Sequence, residues 1–324
     1  MHLGRKLLKS NELTLFLLLI IFVITIGLIN PAFFSVGTLF DVIRNQTIYI
    51  LLAFGLLPVV ILGGLEISFV AVASLATLVS RLVMAALNYD GGMWFFYLTS
   101  MLVGVCAGSA IAWMIWKFKA PIFDFSLGMS TMIGGVLALT AQFRPREWSF
   151  SAIEGWSMKW LVTVQSTVGR SGLHVSFLLI VFTGLILHLL LRHTVLGREI
   201  YAMGSDRSVA IRTGINEKRV YLTAFSILGA MAAMAAVTNT GLGLGASSFS
   251  AKYLTVYATV IIGGGSIRGG KGSIIGTLMG VLLVGLIAQA MVYVRIPTAW
   301  MDAVLGGLII TFTIYQTFQT KIKK

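Results

Sequence analysis

Residues 13–29 read LTLFLLLIIFVITIGLI, a run without one charged side chain. A helix that crosses the hydrocarbon core of a bilayer needs about 20 predominantly apolar residues, and this run is close to that length. Asn30-Pro31 follows the run in place of a small-residue cleavage site, so we expect a retained helix and not a removed signal peptide. The stretch therefore predicts a membrane-spanning segment near the start of the chain.

Further apolar segments of the same character follow along the whole chain. They are residues 47–62, 67–87, 93–116, 122–142, 173–191, 220–239, 253–264, 273–294 and 298–318. We predict an all-α fold, a polytopic membrane bundle of about ten transmembrane helices that forms a single domain over residues 1–324. The second segment contains Pro58 and the eighth is short, features typical of helices that break beside a transport pathway.

The composition of the 324 residues supports the membrane class and excludes several others. Hydrophobic residues make up 57% of the chain and charged residues only 11%, whereas soluble domains carry about 25% charged residues. This excludes a soluble enzyme, a disordered chain and a nucleic-acid-binding domain. Cys106 is the only cysteine, so neither a disulfide framework nor a cysteine metal cluster is possible, and its apolar surroundings predict a buried side chain.

The net charge of +13 reports the orientation of the helices. An even number of helices, such as ten, puts both termini on the same side of the membrane. If that side is the cytoplasm, sixteen Lys and Arg residues lie in cytoplasmic segments and six in external segments. Because cytoplasmic loops collect basic residues, this bias predicts cytoplasmic termini. The loop at 192–219 then faces the cytoplasm, and the large tryptophan-containing loop at 143–172 faces outside.

Ionisable and polar groups are sparse within the predicted helices. They are Asn45, Gln46, Arg81, Asp124, Ser130, Thr131, Asn239, Gln289 and Asp302. Ion-coupled transporters usually need several ionisable groups inside the membrane, and here the charged groups lie toward helix ends. The pattern favours a pathway for a neutral polar solute driven by energy from elsewhere, with Asn239 and Gln289 as candidate pathway residues. The four histidines lack metal-ligand spacing, and we predict no catalytic residue, metal or cofactor.

The cytoplasmic stretch 197–219 contains a predicted short helix. Ser205 or Asp206 can cap a helix over Arg207–Thr213, and Gly214 can end it. Val209, Ala210 and Ile211 give that helix an apolar surface within a polar loop. Two interpretations stay open: an amphipathic helix that docks into a groove on a partner protein, or a solvated basic loop that lies on anionic lipid.

Two glycine-containing stretches flank predicted helices. Residues 263–276 read GGGSIRGGKGSIIG, which resembles a phosphate-binding loop in composition, but Gly272 stands where that motif needs Ser or Thr. We therefore predict a tight cytoplasmic turn. Residues 62–69 read LGGLEISF, in which Glu66 either caps the following helix or lies beside the transport pathway.

These same stretches resemble the permease subunits of bacterial ATP-binding-cassette importers of the ribose, xylose, galactose and autoinducer-2 class. The matching motifs are Gly63-Gly64-Leu65-Glu66-Ile67-Ser68, Leu196-Gly197-Arg198 with Tyr201-Ala-Met-Gly204, Ala210, Gly214-Ile215-Asn216, and residues 263–277, the most specific match. The chain departs from the family pattern in having Glu66 where Asp is usual and Val70-Ala71 where Gly-Ser is usual. An acidic Asp124 near the start of the fifth helix is also unusual.

The resemblance implies a permease that works in a complex. Its partners would be a cytoplasmic ATPase, an extracytoplasmic solute-binding protein and a second permease, identical or paralogous, and its location the bacterial inner membrane. Coupling to the ATPase would fall on Gly204, Ser205, Asp206, Arg207, Ala210, Gly214 and Ile215. Candidate pathway or hinge residues are Gly63, Gly64, Glu66, Ser68, Asn239, Gly264, Gly269, Gly270 and Gln289. The large external loop would be a docking candidate for the binding protein.

The solute that this resemblance implies is a monosaccharide or an autoinducer-2-like sugar. Related machinery for a nucleoside or a branched-chain amino acid is the first alternative. An ion-coupled secondary transporter or channel and a membrane scaffold without transport are the others. Transport that continues without an ATPase would indicate the secondary transporter or channel.

Overall fold

A computed structural model of the chain describes residues 11–89, 93–142, 160–166, 169–242 and 253–322. Its helices are α1 (Asn11–Ile29), α2 (Val36–Ile61), α3 (Phe69–Ala86), α4 (Met93–Phe118), α5 (Ile122–Gln142), α6 (Ser176–His193), α7 (Val195–Ser205), α8 (Arg207–Arg212), α9 (Glu217–Gly241), α10 (Tyr253–Ile262), α11 (Ile274–Tyr293) and α12 (Met301–Ile322). Short 3-10 helices cover Pro31–Phe34 and Thr298–Trp300. Strands β1 (Trp160–Ser166) and β2 (Gly169–His174) pair antiparallel between α5 and α6.

The predicted all-α membrane bundle is confirmed. Eight of the described helices, α1 to α6, α9 and α11, are long and apolar enough to cross a membrane. The apolar helix α10 and the apolar part of α12, Met301–Ile314, are shorter and complete the ten predicted segments. Most of the predicted external loop at 143–172 lies outside the described residues, and its described part is the β1–β2 hairpin, which the sequence analysis does not predict.

Several helix boundaries differ from the predicted ones, most of all the start of α2, and the starts of α2 and α6 have clear local reasons. α2 begins at Val36 and not at residue 47, because Ser35 caps it by accepting a hydrogen bond from the Thr38 amide at 3.2 Å. Asp41 and Arg44, which interrupt the apolar pattern of this part, pair with each other at 3.4 Å one helical turn apart. α6 begins at Ser176 and not at residue 173, because the chain up to His174 belongs to β2.

The centre of the molecule is formed by α2 and α9, the two most buried membrane-spanning helices. α9 packs most extensively against α4, with backbones in direct contact. A Cβ atom added at Gly229 would lie 2.0 Å from the Gly104 carbonyl oxygen, and one added at Gly108 would lie 2.2 Å from the Phe225 carbonyl oxygen. Small residues at helix interfaces permit such close approach in membrane proteins.

The outer helices leave apolar faces uncovered within the chain. α1 and α5 are the least buried of the spanning helices. Cys106 is exposed on α4, so the predicted burial of this side chain is wrong. The sequence analysis assigned it to the core because its neighbours are apolar, but in a membrane protein apolar faces also point outward.

Candidate functional site

Three segments meet backbone to backbone on one side of the bundle, at the C-terminal end of α2, the end of α7 and the turn between α10 and α11. The Gly270 amide donates a hydrogen bond to the Ile61 carbonyl at 2.8 Å. A Cβ atom added at Gly204 would lie 1.7 Å from the Ile61 carbonyl oxygen and 2.9 Å from the Gly270 nitrogen. We call Ile61, Gly63, Gly204, Gly269 and Gly270 the glycine junction. Since no side chain separates these backbones, the three segments form one packed unit.

The turn at the glycine junction also depends on glycine conformations. Gly269 and Gly270 have φ angles of +83° and +73°, in the left-handed region that favours glycine. A Cβ atom at Gly269 would also lie 2.4 Å from the Gly204 carbonyl oxygen. The Tyr201 hydroxyl donates to the Gly272 carbonyl at 2.7 Å and so fixes α7 to the same turn. The sequence-predicted residues Gly63, Gly204, Ser205, Gly269 and Gly270 are thus brought together, with Gly264 at the end of α10.

The predicted short cytoplasmic helix is present as α8, one residue shorter than expected. Asp206 caps it by accepting hydrogen bonds from the Ser208 and Val209 amides at 2.9 and 3.1 Å. These hydrogen bonds, the one from Val209 first, lower the pKa of the Asp206 carboxyl. Ser205 is not the cap: it belongs to α7 and donates to the Tyr201 carbonyl at 2.9 Å. Gly214 ends the helix with a φ of +88°.

α8 presents an apolar surface to its surroundings. Val209 and Ile211 are 51% and 45% exposed, whereas Ala210 points inward and is buried. Arg207 forms an ion pair with Glu217 at the start of α9, with 2.5 Å between nitrogen and oxygen. The Ile215 amide donates to the Ala210 carbonyl at 3.2 Å and closes the end of the helix. Val209 and Ile211 are therefore two exposed aliphatic side chains on either side of the buried Ala210, on a helix that is capped at its start and ion-paired to α9.

Glu66 is fully buried, and its carboxylate caps α3. It accepts hydrogen bonds from the Ser68 amide at 2.8 Å and the Phe69 amide at 3.0 Å, and also one from the Ser68 hydroxyl. Of the two interpretations of Glu66, the geometry agrees with the cap. Gly64 beside it packs tightly on α5, since an added Cβ would lie 2.6 Å from the Ile122 side chain.

Tyr257 on α10 is a residue that the sequence analysis missed. Its hydroxyl donates to the Glu66 carbonyl at 2.7 Å and accepts a hydrogen bond from the Glu66 amide. On the other side of the loop, the Ser126 hydroxyl of α5 accepts from the Ile67 amide at 3.2 Å. The loop that contains Glu66 is therefore tied to α5 and α10. A tyrosine within a short apolar helix is a signal for such a contact, because a buried hydroxyl needs a hydrogen-bond partner.

The candidate pathway residues Asn239 and Gln289 lie away from the glycine junction. Asn239 is buried near the end of α9, roughly 33 Å along that helix from Glu217. The residues on either side of it form hydrogen bonds. The Thr238 hydroxyl is 3.0 Å from the Tyr97 hydroxyl, and the Thr240 hydroxyl accepts a hydrogen bond from the Arg81 guanidinium at 3.4 Å. Gln289 is half-buried on α11. The contacts of Thr238 and Thr240 form a group of polar side chains near the C-terminal end of α9.

A shallow groove follows the outer face of α5. It is lined by Asp124, Leu127, Gly128, Thr131, Met132, Gly135, Val136 and Leu139. An added Cβ at Gly128 or Gly135 would meet nothing within 4 Å. In the part of the chain that the structure describes, no three His, Cys, Asp or Glu residues lie close enough to hold a metal ion.

Comparison with known proteins places the chain in a family. The family model for the branched-chain amino acid transport system / permease component matches residues 38–313, most of the chain. The chain belongs to this permease family. The match runs from α2 into α12 and so includes the glycine junction, α8 and the Glu66 loop. Together with the apolar helices, it makes this permease a multi-pass protein of the bacterial inner membrane, and the resemblance seen in the sequence is confirmed.

Curated relatives of this permease carry names of sugar import proteins. The ribose import permease protein of Haemophilus influenzae is 25% identical over 295 residues, 90% of this chain and 87% of the relative. The ribose import permease protein of Bacillus subtilis is 26% identical over 306 residues, covering 92% and 90%. An autoinducer 2 import system permease protein of an Enterobacter strain is 28% identical over 312 residues, covering 93% and 85%. No solved structure matches the chain.

Proposed function

We propose that this permease forms the membrane path of an importer for a small polar solute, and that a separate cytoplasmic ATPase supplies the energy. The observation that carries the proposal is the exposure of Val209 and Ile211 on α8. This helix directly follows α7, whose Gly204 packs in the glycine junction. An amphipathic helix with such a surface suits docking into a groove on a partner. The coupling residues are Gly204, Ser205, Asp206, Arg207, Ala210, Gly214 and Ile215.

The glycine junction gives α8 a direct mechanical connection to the membrane helices. A displacement of α8 passes through Gly204 to the Ile61 carbonyl at the end of α2 and to Gly270 in the turn between α10 and α11. Because these backbones touch, the segments move together. We propose that closure of the ATPase pulls α8 and reorients α2, α10 and α11 between outward and inward access. Gly64 and Gly264, outside the glycine junction, are the proposed hinge positions, and Gly63, Gly269 and Gly270 transmit the motion as part of the junction.

The proposed solute is a monosaccharide or an autoinducer-2-like sugar. Relatives named for ribose and autoinducer 2 import support this choice. The family description names branched-chain amino acids, which are therefore the second candidate, and a nucleoside is a third. An extracytoplasmic solute-binding protein would deliver the solute, and the polar residues Asn239 and Gln289 are proposed to lie beside its path.

A second permease, identical or paralogous, is proposed to cover the outer groove of α5. The groove is lined mainly by apolar residues but also by the polar side chains of Asp124 and Thr131, on a helix that is little buried. A carboxylate is costly to expose to lipid, so contact with a second permease would shield Asp124. A path between two permeases would then be lined by this face of α5.

Ion coupling is disfavoured by where the carboxylates lie. Among the described residues, the acidic groups of the spanning helices fall near helix starts: Glu12 in α1, Asp41 in α2, Asp124 in α5 and Glu217 in α9. Glu66 is occupied as the α3 cap. A proton or sodium site at mid-membrane would need ionisable groups there.

The docking of α8 is tested by co-purification with the ATPase. The double variant V209E/I211E places two charges on the proposed contact, and we expect the retained ATPase to fall about tenfold or more. I296E is the matched control, because Ile296 is an exposed isoleucine, 43% accessible, at the opposite end of the bundle. Retention of the ATPase by V209E/I211E at the level of I296E would contradict the proposal.

The solute and the energy source are tested with purified components in proteoliposomes. We expect ribose or an autoinducer-2-like sugar, presented by the solute-binding protein, to stimulate ATP hydrolysis, and leucine to have no effect. Stimulation by leucine or a nucleoside instead would reassign the solute. Uptake that persists after omission of the ATPase subunit would contradict the importer mechanism itself.

A further inference from the structure

A cavity of about 520 Å³ lies where α1, α6, α7 and α11 converge, apart from the exposed surface of α8. It is lined by Glu12, His188, Leu191, Arg192, Arg198, Tyr201, Ser273 and Ile274. Its volume lies within the range of small-ligand pockets. Nothing proposed above uses this cavity, although two arginines face it.

The cavity lies at one end of the membrane spans, on the side that the sequence predicts to be cytoplasmic. The spanning segment of α1 starts at Glu12, that of α6 ends at His193, and that of α11 starts at Ile274. Three spans that begin or end at one cavity place it at the level of the phospholipid headgroups, just outside the hydrocarbon core.

The charges of the cavity favour a singly charged anion. In the part of the chain that the structure describes, the salt bridges join Arg44 to Asp41 and Arg207 to Glu217, so neither Arg192 nor Arg198 has a carboxylate partner. Among the described residues that line the cavity, Glu12 is the only acidic one, and it accepts a hydrogen bond from the Ser273 hydroxyl at 2.6 Å. Two arginines and one carboxylate leave one positive charge, which a phosphodiester monoanion would neutralise.

Apolar side chains beside the cavity point to a lipid. Leu189, Val195 and Ile275 are 47%, 55% and 40% exposed, and each is one to three residues from a lining residue. Acyl chains need such a surface, whereas a soluble phosphate does not. Basic pockets between transmembrane helices on the cytoplasmic side suit anionic headgroups.

We propose that this cavity binds the phosphate group of an anionic phospholipid, with Arg192 and Arg198 as its ligands. The lipid would fill the gap between α1, α6 and α11 and hold α7 against them. Because α7 contains Gly204 of the glycine junction and directly precedes α8, the bound lipid would stabilise the position of α7 and hence of α8. Lipid binding by this cavity requires neither the ATPase nor any particular solute.

The test measures lipid retained by the purified full-length permease in native mass spectrometry. The probes are phosphatidylglycerol and phosphatidylcholine with the same acyl chains. We expect wild-type protein to prefer phosphatidylglycerol, and R192Q/R198Q to lower its affinity for that lipid about tenfold or more, since each lost charge-assisted contact is substantial. R212Q/R219Q removes two exposed arginines outside the cavity and is expected to bind like wild type.

Several outcomes would overturn the proposal. One is equal loss of phosphatidylglycerol in both double variants, which would indicate unspecific attraction. Another is displacement of the lipid by inorganic phosphate, which would identify a soluble ligand. A third is unchanged lipid binding by R192Q/R198Q with loss of the ATPase, which would make the arginines a protein contact. If the double variant is not monodisperse, R198Q alone serves, because Arg198 is exposed on α7 and its loss removes no packing.

Discussion

Glu66 is the one charged side chain that the structure buries completely among the residues it describes. A buried carboxylate is tolerated only when hydrogen bonds replace its water, and here two backbone amides and the Ser68 hydroxyl do so. The backbone of the same residue is held by the Tyr257 hydroxyl. One residue thus starts α3 and joins it to α10.

Replacement of Glu66 by glutamine tests this role. The amide keeps one acceptor oxygen and turns an NH₂ group toward backbone donors, so at least one amide at the start of α3 loses its partner. We expect E66Q to lower the free energy of unfolding by about 1–3 kcal/mol. Thermal unfolding of the detergent-purified protein measures the change.

D302N is the matched control for E66Q. Asp302 also lies in the first turn of a helix, but it is exposed, so its substitution should change stability by less than about 0.5 kcal/mol. Transport per folded E66Q molecule distinguishes the cap from a pathway role. If E66Q has wild-type stability and impaired transport, Glu66 acts on the solute and not on the helix.

At the scale of elements, backbone contact between α4 and α9 replaces the side-chain interlocking usual in soluble bundles. Gly104 and Gly229 face each other, and an added Cβ on either would lie within 2.2 Å of the carbonyl oxygen of the other. The hydroxyl groups of Ser109 and Ser226 form a hydrogen bond across the same interface, with 2.7 Å between their oxygens. Because lipid tails are as apolar as the side chains, the hydrophobic effect does not drive helices together inside the membrane. Close packing of this kind therefore supplies much of the free energy of helix association.

Substitution of Gly229 by alanine should separate α4 from α9. The added methyl group meets backbone, which cannot rotate away, so we expect a loss of several kcal/mol or failure to fold. G134A is the matched control: Gly134 is also mid-helix, nothing lies within 4 Å of its added Cβ, and helix propensity predicts a gain of up to about 1 kcal/mol. Similar unfolding temperatures for G229A and G134A would show that the interface tolerates expansion.

The start of α2 shows why hydropathy alone misplaced an element. Residues 36–46 contain Asp41, Arg44 and Asn45, which end an apolar run but not a helix. Ser35 supplies the cap and the i,i+3 ion pair satisfies the charges locally. Apolar content predicts which part of a helix lies in the hydrocarbon core of the membrane. Capping residues and local ion pairs decide where the helix itself begins.

At the scale of the whole molecule, the basic residues are distributed unequally between the two faces. Arg207 and Arg212 on α8, and Arg268 and Lys271 in the neighbouring turn, all lie on the face that carries the glycine junction. The sequence count assigns this face to the cytoplasm. The assignment remains a prediction that the fold makes testable, because it supplies exposed positions at both ends of the bundle.

Single-cysteine labelling tests the orientation. In a C106A background, V209C reports the α8 face and I296C the opposite face, at two residues with similar exposure of 51% and 43%. We expect a membrane-impermeant maleimide to label I296C in intact spheroplasts and V209C only after the membrane is opened. The reverse pattern would place both termini outside.

The sequence by itself determined the membrane class, the ten apolar segments, the presence and stop of α8, and the family, since each of these depends on local composition or on a short motif. Gly214 acts within a few residues of itself, so its role is visible without a fold, whereas the choice of Asp206 over Ser205 as the cap was made by the structure. The glycine junction, the bond from Tyr257 to Glu66 and the cavity with Arg192 and Arg198 were decided only by the tertiary structure. Each joins residues distant along the chain, and helix packing, which hydropathy does not encode, sets which of them meet.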